Sequence, residues 1–584
     1  MKMKTYIMMA VCFVCIAVGV TIMTTYANRN DRRVDYHTKA LGDSVYIFST
    51  QDDMEEVQQT IDAIYEKQET NQFGNQRYAL LFLPGDYPKL QVKVGYYTQV
   101  MGLGNQPTDT RIGSIDCDAT WLGDDPNNHN ALCNFWRSVE NVEIMGNSMW
   151  AVSQATDMRR VQVDGALYLH DNYGWASGGF LADSNIQSMV DSGSQQQWLS
   201  RNNTYRTWMG QNWNIVFAGD QEDGLPNGTW PMFSYTRADV VDVMREKPYL
   251  SYREGAGMGI AIPTKTATSA GCRWVEESQQ VEWIPLDDCY IARADEDTAA
   301  SINVALSEGK HILFTPGCYQ LEDALVVGGD DTVLLGLGLA SLEPSSGNAC
   351  VETSSEGVTI AGLLFEAGER ESDVLLHVGK PTENNSQRRT LLSDVYFRVG
   401  GRATAQATAV DTALIIDANE VVGDNLWVWR ADHGDQVGWD ANRAKHGVII
   451  NGEDVTMVAL MVEHFQEEQT VWNGNGGTCI MYQSEVPYDI PSGEAKPSFY
   501  VSDSVKDFYA TGLGIYLYNR DARIPLECGM RVPDAPGVAV DHIITVMLGN
   551  SHPGIHHVIN EAGGSCMNVG ETQKVLHYCN KEWK

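Results

Sequence analysis

Short apolar runs rich in β-branched residues recur along most of the chain. Examples are VEIMG (142–146), VQVDG (161–165), VTIAGLLF (358–365), ALIID (413–417), GVIING (447–452) and VTMVALMV (455–462). They return roughly every 20–30 residues, with Gly, Asn and Asp between them, which is the pattern of short strands joined by tight corners. Helical periodicity is scarce, and two amphipathic stretches, near 52–66 and 295–308, stand out. Each precedes the same pattern. LLFLPGDY (80–87) leads to VMGLG (100–104), and ILFTPGCY (312–319) leads to LLGLG (334–338). The Pro-Gly pairs are offset by 232 residues and the Gly-Leu-Gly triplets by 234, so the chain holds two copies of one large unit. Strands at rung-like spacing with Asn/Gly corners predict an all-β fold of two tandem right-handed parallel β-helices, each opened by a short capping helix. A pair of antiparallel sandwiches is the alternative, and hairpin dipeptides are too few to favour it.

The expected division is an N-terminal segment 1–33, a first β-helix 34–262, a polar linker 263–286, a second β-helix 287–550 and a C-terminal cap 551–584. Lys2 and Lys4 precede an uncharged run from Tyr6 to Met23, followed by Thr25-Tyr26-Ala27 and then Arg29, Arg32 and Arg33. That pattern fits a cleaved signal peptide or a single-pass signal anchor, and either sends the body into the secretory route. Ten cysteines follow, with no Cys-x-x-Cys spacing. Disulfides are therefore expected over zinc, with Cys272–Cys289 and Cys566–Cys579 as near neighbours able to pair. Sequons at Asn202, Asn227 and Asn384 suit the same compartment.

Composition narrows the partner. With 76 Asp+Glu against 41 Lys+Arg, the net charge of −35 argues against nucleic acid, which needs basic surface, and disfavours a polyanionic substrate. A neutral polysaccharide is compatible. No phosphate loop, dinucleotide fingerprint or Gly-x-Ser-x-Gly elbow is present, and no cofactor is expected.

Three segments carry candidate chemistry. In EHFQEEQTVWNGNGG (463–477) and MYQSEVPYD (481–489), Glu463 and Glu485 lie 22 residues apart, about one coil, so both carboxyls can project from one face. Glu485 sits among apolar and aromatic neighbours, and a desolvated carboxyl that keeps its proton can act as a general acid. SGSQQQWLSRN (192–202) places Gln195, Gln196 and Gln197 in succession; neutral amides can hold a water, or can simply stack as a ladder. WVWRADHGDQVGWD (427–440) gathers Trp429, Asp432, His433 and Trp439. The tryptophans can stack on sugar rings, as can Trp472, and Asp432 and His433 can bind hydroxyls. A core role for the tryptophans and a turn role for the polar residues is the competing reading.

The duplicated helix–PGxY–GLG units, the QQW-x-x-RN segment, EHFQEEQTVWNGN and QSEVPYD together resemble glycoside hydrolase family 55 over most of residues 40–550. The likeness is nearest to a branch often labelled adenylyl cyclase or coagulation factor 5/8 type domain protein, labels that no motif here supports. The resemblance implies a pectate-lyase-like pair of β-helices side by side and an inverting exo-β-1,3-glucanase; the chain is expected to be a monomer. The resemblance places the general acid on Glu485 and a supporting glutamate on Glu463. The attacking water would be held by glutamine, among Gln195–Gln197, and by a serine that the sequence does not locate. The rivals are a polysaccharide lyase on the same scaffold and a non-catalytic glycan-binding surface protein.

Overall fold

The computed structural model describes residues 41–584 apart from 120–124, 126, 211–212, 240, 242, 264–265, 268–269, 277–280, 380–388, 404–405, 522 and 551. Helix Met54–Gln68 opens the first half. Asp53 caps it by accepting from the Glu55 amide at 2.9 Å, and Val57, Ile61 and Ile64 are its buried stripe. Nine parallel strands then stack in sequence order, from Val45–Phe48 through Arg137–Ile144, Thr156–Val163 and Gln197–Arg201 to Tyr235–Ala238. Helix Ala299–Ser307, capped by Thr298, opens the second half. Behind it runs a parallel stack that includes Leu391–Val399, Val422–Arg430, Thr456–Glu463, Gly477–Glu485, Asp507–Tyr518 and Gly537–Gly549. A second parallel sheet of nine strands, Leu325–Val327 to Ile555–Ile559, forms another wall of the same coil. The chain therefore makes two tandem parallel β-helices.

The long strands are buried on both faces, which is why they read as nearly continuous apolar runs. One face fills the coil interior. The other builds a seam between the two β-helices, where Tyr97, Trp136 and Phe180 of the first pack with Tyr396, Trp427 and Trp429 of the second. Gly338, the last residue of the second GLG, has φ +59° and lies where a Cβ would come within 2.7 Å of the Tyr78 carbonyl oxygen. Its N–H donates to Gln99 Oε1 at 2.9 Å, so glycine there lets the two backbones approach.

The seam also holds buried charges. Arg159 pairs with Asp394 at 2.8 Å and Asp424 at 2.7 Å. Arg201 joins Glu246 at 2.7 Å to Asp424 at 3.0 Å, and Lys247 joins Glu140 at 2.6 Å to Asp394 at 3.0 Å.

The stretch expected as a linker carries structure. Strand Val281–Pro285 completes a three-stranded antiparallel sheet with Tyr249–Arg253 and Gly257–Pro263. In the tail, Thr572–Cys579 pairs antiparallel with Gly537–Gly549 and so ends the parallel stack. Cysteine pairing differs from expectation. The ten described cysteines are free thiols, so neither Cys272–Cys289 nor Cys566–Cys579 is bridged. Asn202 is fully buried, which removes it as a surface sequon; Asn227 is exposed, and Asn384 lies outside the described residues. The N-terminal apolar run, read as signal peptide or membrane anchor, also lies outside them. Among the described residues no helix is long and apolar enough to cross a membrane.

Candidate active site

A cavity of about 400 Å³ opens between the two β-helices. The second supplies its carboxylates. Strands Thr456–Glu463 and Gly477–Glu485 pair with Met461 opposite Gln483, and carrying that register two residues on sets Glu463 beside Glu485. Both are largely buried and both line the cavity. The coil before contributes Trp429, in register with Glu463, and Trp427, whose indole N–H donates to Glu463 Oε2 at 3.0 Å.

The first β-helix supplies neutral polar groups from three successive coils. Gln154, Ser177 and Gln196 are 23 and 19 residues apart and all line the cavity. The registers Met158 opposite Leu181 and Ala176 opposite Gln195 place them in one row. Each reaches the carboxylates or another member of the row. Gln154 Nε2 donates to Glu463 Oε1 at 2.9 Å and Gln196 Nε2 donates to Glu485 Oε1 at 2.9 Å. The Ser177 hydroxyl donates to Gln154 Oε1 at 2.9 Å, and the Tyr488 hydroxyl donates to Glu485 Oε2.

Of the three glutamines in a row, only Gln196 faces the cavity. Gln195 and Gln197 alternate with it along the strand, so the pleat turns them away, and their amides donate to the carbonyls of Leu169 and Ser177. Gln154 and Ser177 were not singled out by sequence, although the one-coil spacing that links Glu463 to Glu485 also links them to Gln196.

The aromatic expectations divide as well. Trp429 lines the cavity and stacks on Trp427 with ring centroids 4.8 Å apart. Trp472 is a core residue, fully buried against Phe499 and Phe508, so it offers no sugar platform. Trp439 packs against the second core and under the Arg430 guanidinium, outside the cavity. Trp175 and Trp213, whose ring centroids are 5.3 Å apart, line the cavity instead.

Electrostatics sort the polar groups. Burial, reinforced by the nearby Glu485 carboxylate, holds the Glu463 carboxyl well above the usual carboxylate range. Burial alone would also raise Asp432, but His433, His464 and Arg520 pull it below that range. His433 Nδ1 lies 2.9 Å from Asp432 Oδ1. Burial opposes its charge, yet the bond to Asp432 and the neighbouring Cys133 thiol push its pKa up to about 10, so it is an imidazolium at neutral pH. Burial drives His464 the other way, lowering its pKa below the usual imidazole value. Asp432, His433 and Arg520, which bonds Asp432 at 2.8 Å, thus form a fixed polar wall. Among the described residues no group of three or more His, Cys, Asp or Glu side chains is arranged to hold a metal ion.

Two carboxyls in one cavity, faced by neutral amides and aromatic rings, form an arrangement suited to acid-assisted hydrolysis of a neutral substrate. Comparison with known proteins agrees in class. The model of the LAM55 pectate lyase-like domain matches residues 289–485, a stretch that ends on Glu485. An exo-β-1,3-glucanase of Streptomyces sp. (strain SirexAA-E / ActE) is 39% identical over 542 residues, covering 90% of this chain and 87% of that protein. The solved structure of sacteLam55A from Streptomyces sp. SirexAA-E superposes with a TM-score of 0.87 at 36% identity, covering 92% of this chain and 98% of that one. A variant of sacteLam55A in complex with glucose gives a TM-score of 0.86 at the same identity and coverage. The paired β-helices, the shared cavity with its two glutamates and this extent of similarity together place the chain in glycoside hydrolase family 55, as a glycoside hydrolase.

Proposed function

We propose that the chain is an exported exo-β-1,3-glucanase that works by inversion, with Glu485 as general acid. The observation that carries this reading is the pair Glu463 and Glu485, each bonded by an amide from the opposite β-helix across one cavity. The glucanase activity borne in the name of the Streptomyces relative supports the substrate. The uncharged N-terminal run supports export.

Burial beside the Glu485 carboxylate raises the proton affinity of Glu463. The reactive form is the one in which that proton has moved to Glu485 and left Glu463 charged. Glu485 gives its proton to the glycosidic oxygen as the bond to the anomeric carbon breaks. A water beside Ser177 attacks that carbon from the other side; its proton goes to the Ser177 hydroxyl, the hydroxyl proton to Gln154 Oε1 and a Gln154 Nε2 proton to Glu463 Oε1, leaving Gln154 as its imidic acid tautomer until the protons shift back. A buried carboxylate with raised proton affinity is a strong acceptor for it. Inversion needs roughly 6.5–9.5 Å between acid and base to seat that water. Trp429 and Phe135, whose ring centroids lie 5.7 Å apart, give the bound sugar an apolar wall.

Glu485→Gln should lower turnover of laminarin by about 10²–10⁴-fold with KM little altered. Parental turnover in that variant would remove Glu485 as the acid. NMR of the first product should show the α anomer of glucose, and initial release of the β anomer would exclude inversion.

A further inference from the structure

We propose that Trp427 is a positioning residue for the catalytic pair: its buried indole N–H fixes the Glu463 carboxyl, with one oxygen tied to the seam and the other turned to Gln154. The effect on turnover rests on the glucanase reading above; the geometry does not.

Alternation along WVW (427–429) puts Trp427 and Trp429 on the seam face, and the strand register sets them opposite Met461 and Glu463. Trp427 therefore stands diagonally from Glu463, a step its long side chain spans to donate to Oε2 at 3.0 Å. The residue is fully buried and its ring is walled in. Phe135 and Trp136 of the first β-helix have ring centroids 4.6 and 5.0 Å from it, and Trp429 of its own strand is 4.8 Å away. Packing across the seam, rather than the cavity, thus sets where the donor points.

The chemistry of the donor decides its effect. Gln154 Nε2 bonds Oε1 at 2.9 Å and the indole bonds Oε2, so each oxygen of Glu463 accepts a bond. Donors on both oxygens favour the charged carboxylate over the acid. An amide can flip to offer its oxygen to a carboxylic O–H, but an indole N–H only donates. Burial and the Glu485 and Asp432 carboxylates pull Glu463 towards its protonated form, while Trp427 and the Gln483 amide pull the other way. That balance governs how readily the Glu463 proton moves to Glu485 and readies the acid. The other titratable groups lining the cavity are Cys133, His433, His464, Tyr488, Tyr518 and Arg520. They do not compete for Trp427, whose single N–H is committed to Glu463. Trp427 therefore biases the pair without titrating itself.

Trp427→Phe removes the N–H and keeps an aromatic ring. Loss of a hydrogen bond to a charged group should lower kcat for laminarin about tenfold, with KM within about twofold. The same change strengthens the hold of Glu463 on its proton, so the alkaline limb of the kcat profile should move up by about one pH unit. Trp136→Phe is the control. That seam tryptophan is equally buried, packs on Trp427, and has an indole N–H with no partner among the described residues. It should leave the limb in place. If Trp427→Phe does not fold, the benzothienyl analogue of tryptophan at position 427, with sulfur in place of the N–H, gives the same measurement without loss of volume. A fall in kcat with an unmoved limb, an unchanged kcat, or an equal movement in Trp136→Phe overturns the proposal. An assay independent of turnover follows the infrared band of the protonated carboxyl that Glu463→Gln abolishes. In Trp427→Phe that band should persist to a pH about one unit higher than in the parent. An inactive parent that still shows this difference would overturn the glucanase reading and leave the positioning role standing.

Discussion

Glu463 illustrates how burial sets chemistry at a single position. Its carboxyl keeps a proton in the folded chain to a pH at which the unfolded chain, titrating near 4.3, has already released it. A group with a raised carboxyl pKa costs folding stability as pH rises above the unfolded value, until its own folded midpoint is reached. Glu463→Gln removes that slope. Thermal melts should therefore show the variant gaining on the parent as pH rises above the unfolded value of about 4.3, and parallel melting curves at all pH values would contradict the assignment. Glu463 and Glu485 were legible because an unusual pair of acidic motifs sits one coil apart. Gln154 and Ser177 were not, because lone polar residues between Gly and Ala carry no local pattern. Their role exists only when coils stack and put residues 23 and 19 apart into a row.

At the level of helices and strands, most of the architecture was written in periodicity. The helices expected near 52–66 and 295–308 are Met54–Gln68 and Ala299–Ser307, and the apolar runs are rungs. Alternation could say that Trp427 and Trp429 share a face but not which face. In a strand buried on both sides, core-facing and seam-facing residues are equally apolar. Trp472 was read as a platform for the same reason and proves to fill a coil. The corners hold a further pH-sensitive group. Asp220 accepts from the Asn203 amide at 2.7 Å and the Tyr205 hydroxyl at 3.0 Å, and burial pushes its pKa up to about 7. Its burial thus weighs against folding between its unfolded value of about 3.9 and about 7, and Asp220→Asn should flatten the pH dependence of the melting temperature across that interval. An unchanged profile would mean that the corner keeps no proton.

For the molecule as a whole, the decisive element is the seam, since neither β-helix holds a complete site. Arg159, five residues along the chain from Gln154, bridges Asp394 and Asp424, and Asp424 lies three residues before Trp427. Arg159→Met takes one of two cationic partners from each of two buried carboxylates and should cost about 3–5 kcal/mol of stability. Denaturant unfolding measures it, and a loss below about 1 kcal/mol would show that Lys247 and Arg201 suffice to neutralise the cluster. Such pairings between distant segments cannot be read from a single chain, because nothing local distinguishes a seam arginine from a surface one.

The ten unbridged thiols carry a practical consequence. A body held together by stacked rungs and a packed seam owes nothing to covalent staples. Excess dithiothreitol should leave its melting temperature where it was, and synthesis in a reducing cytosol should yield the same folded product as passage through an oxidising one.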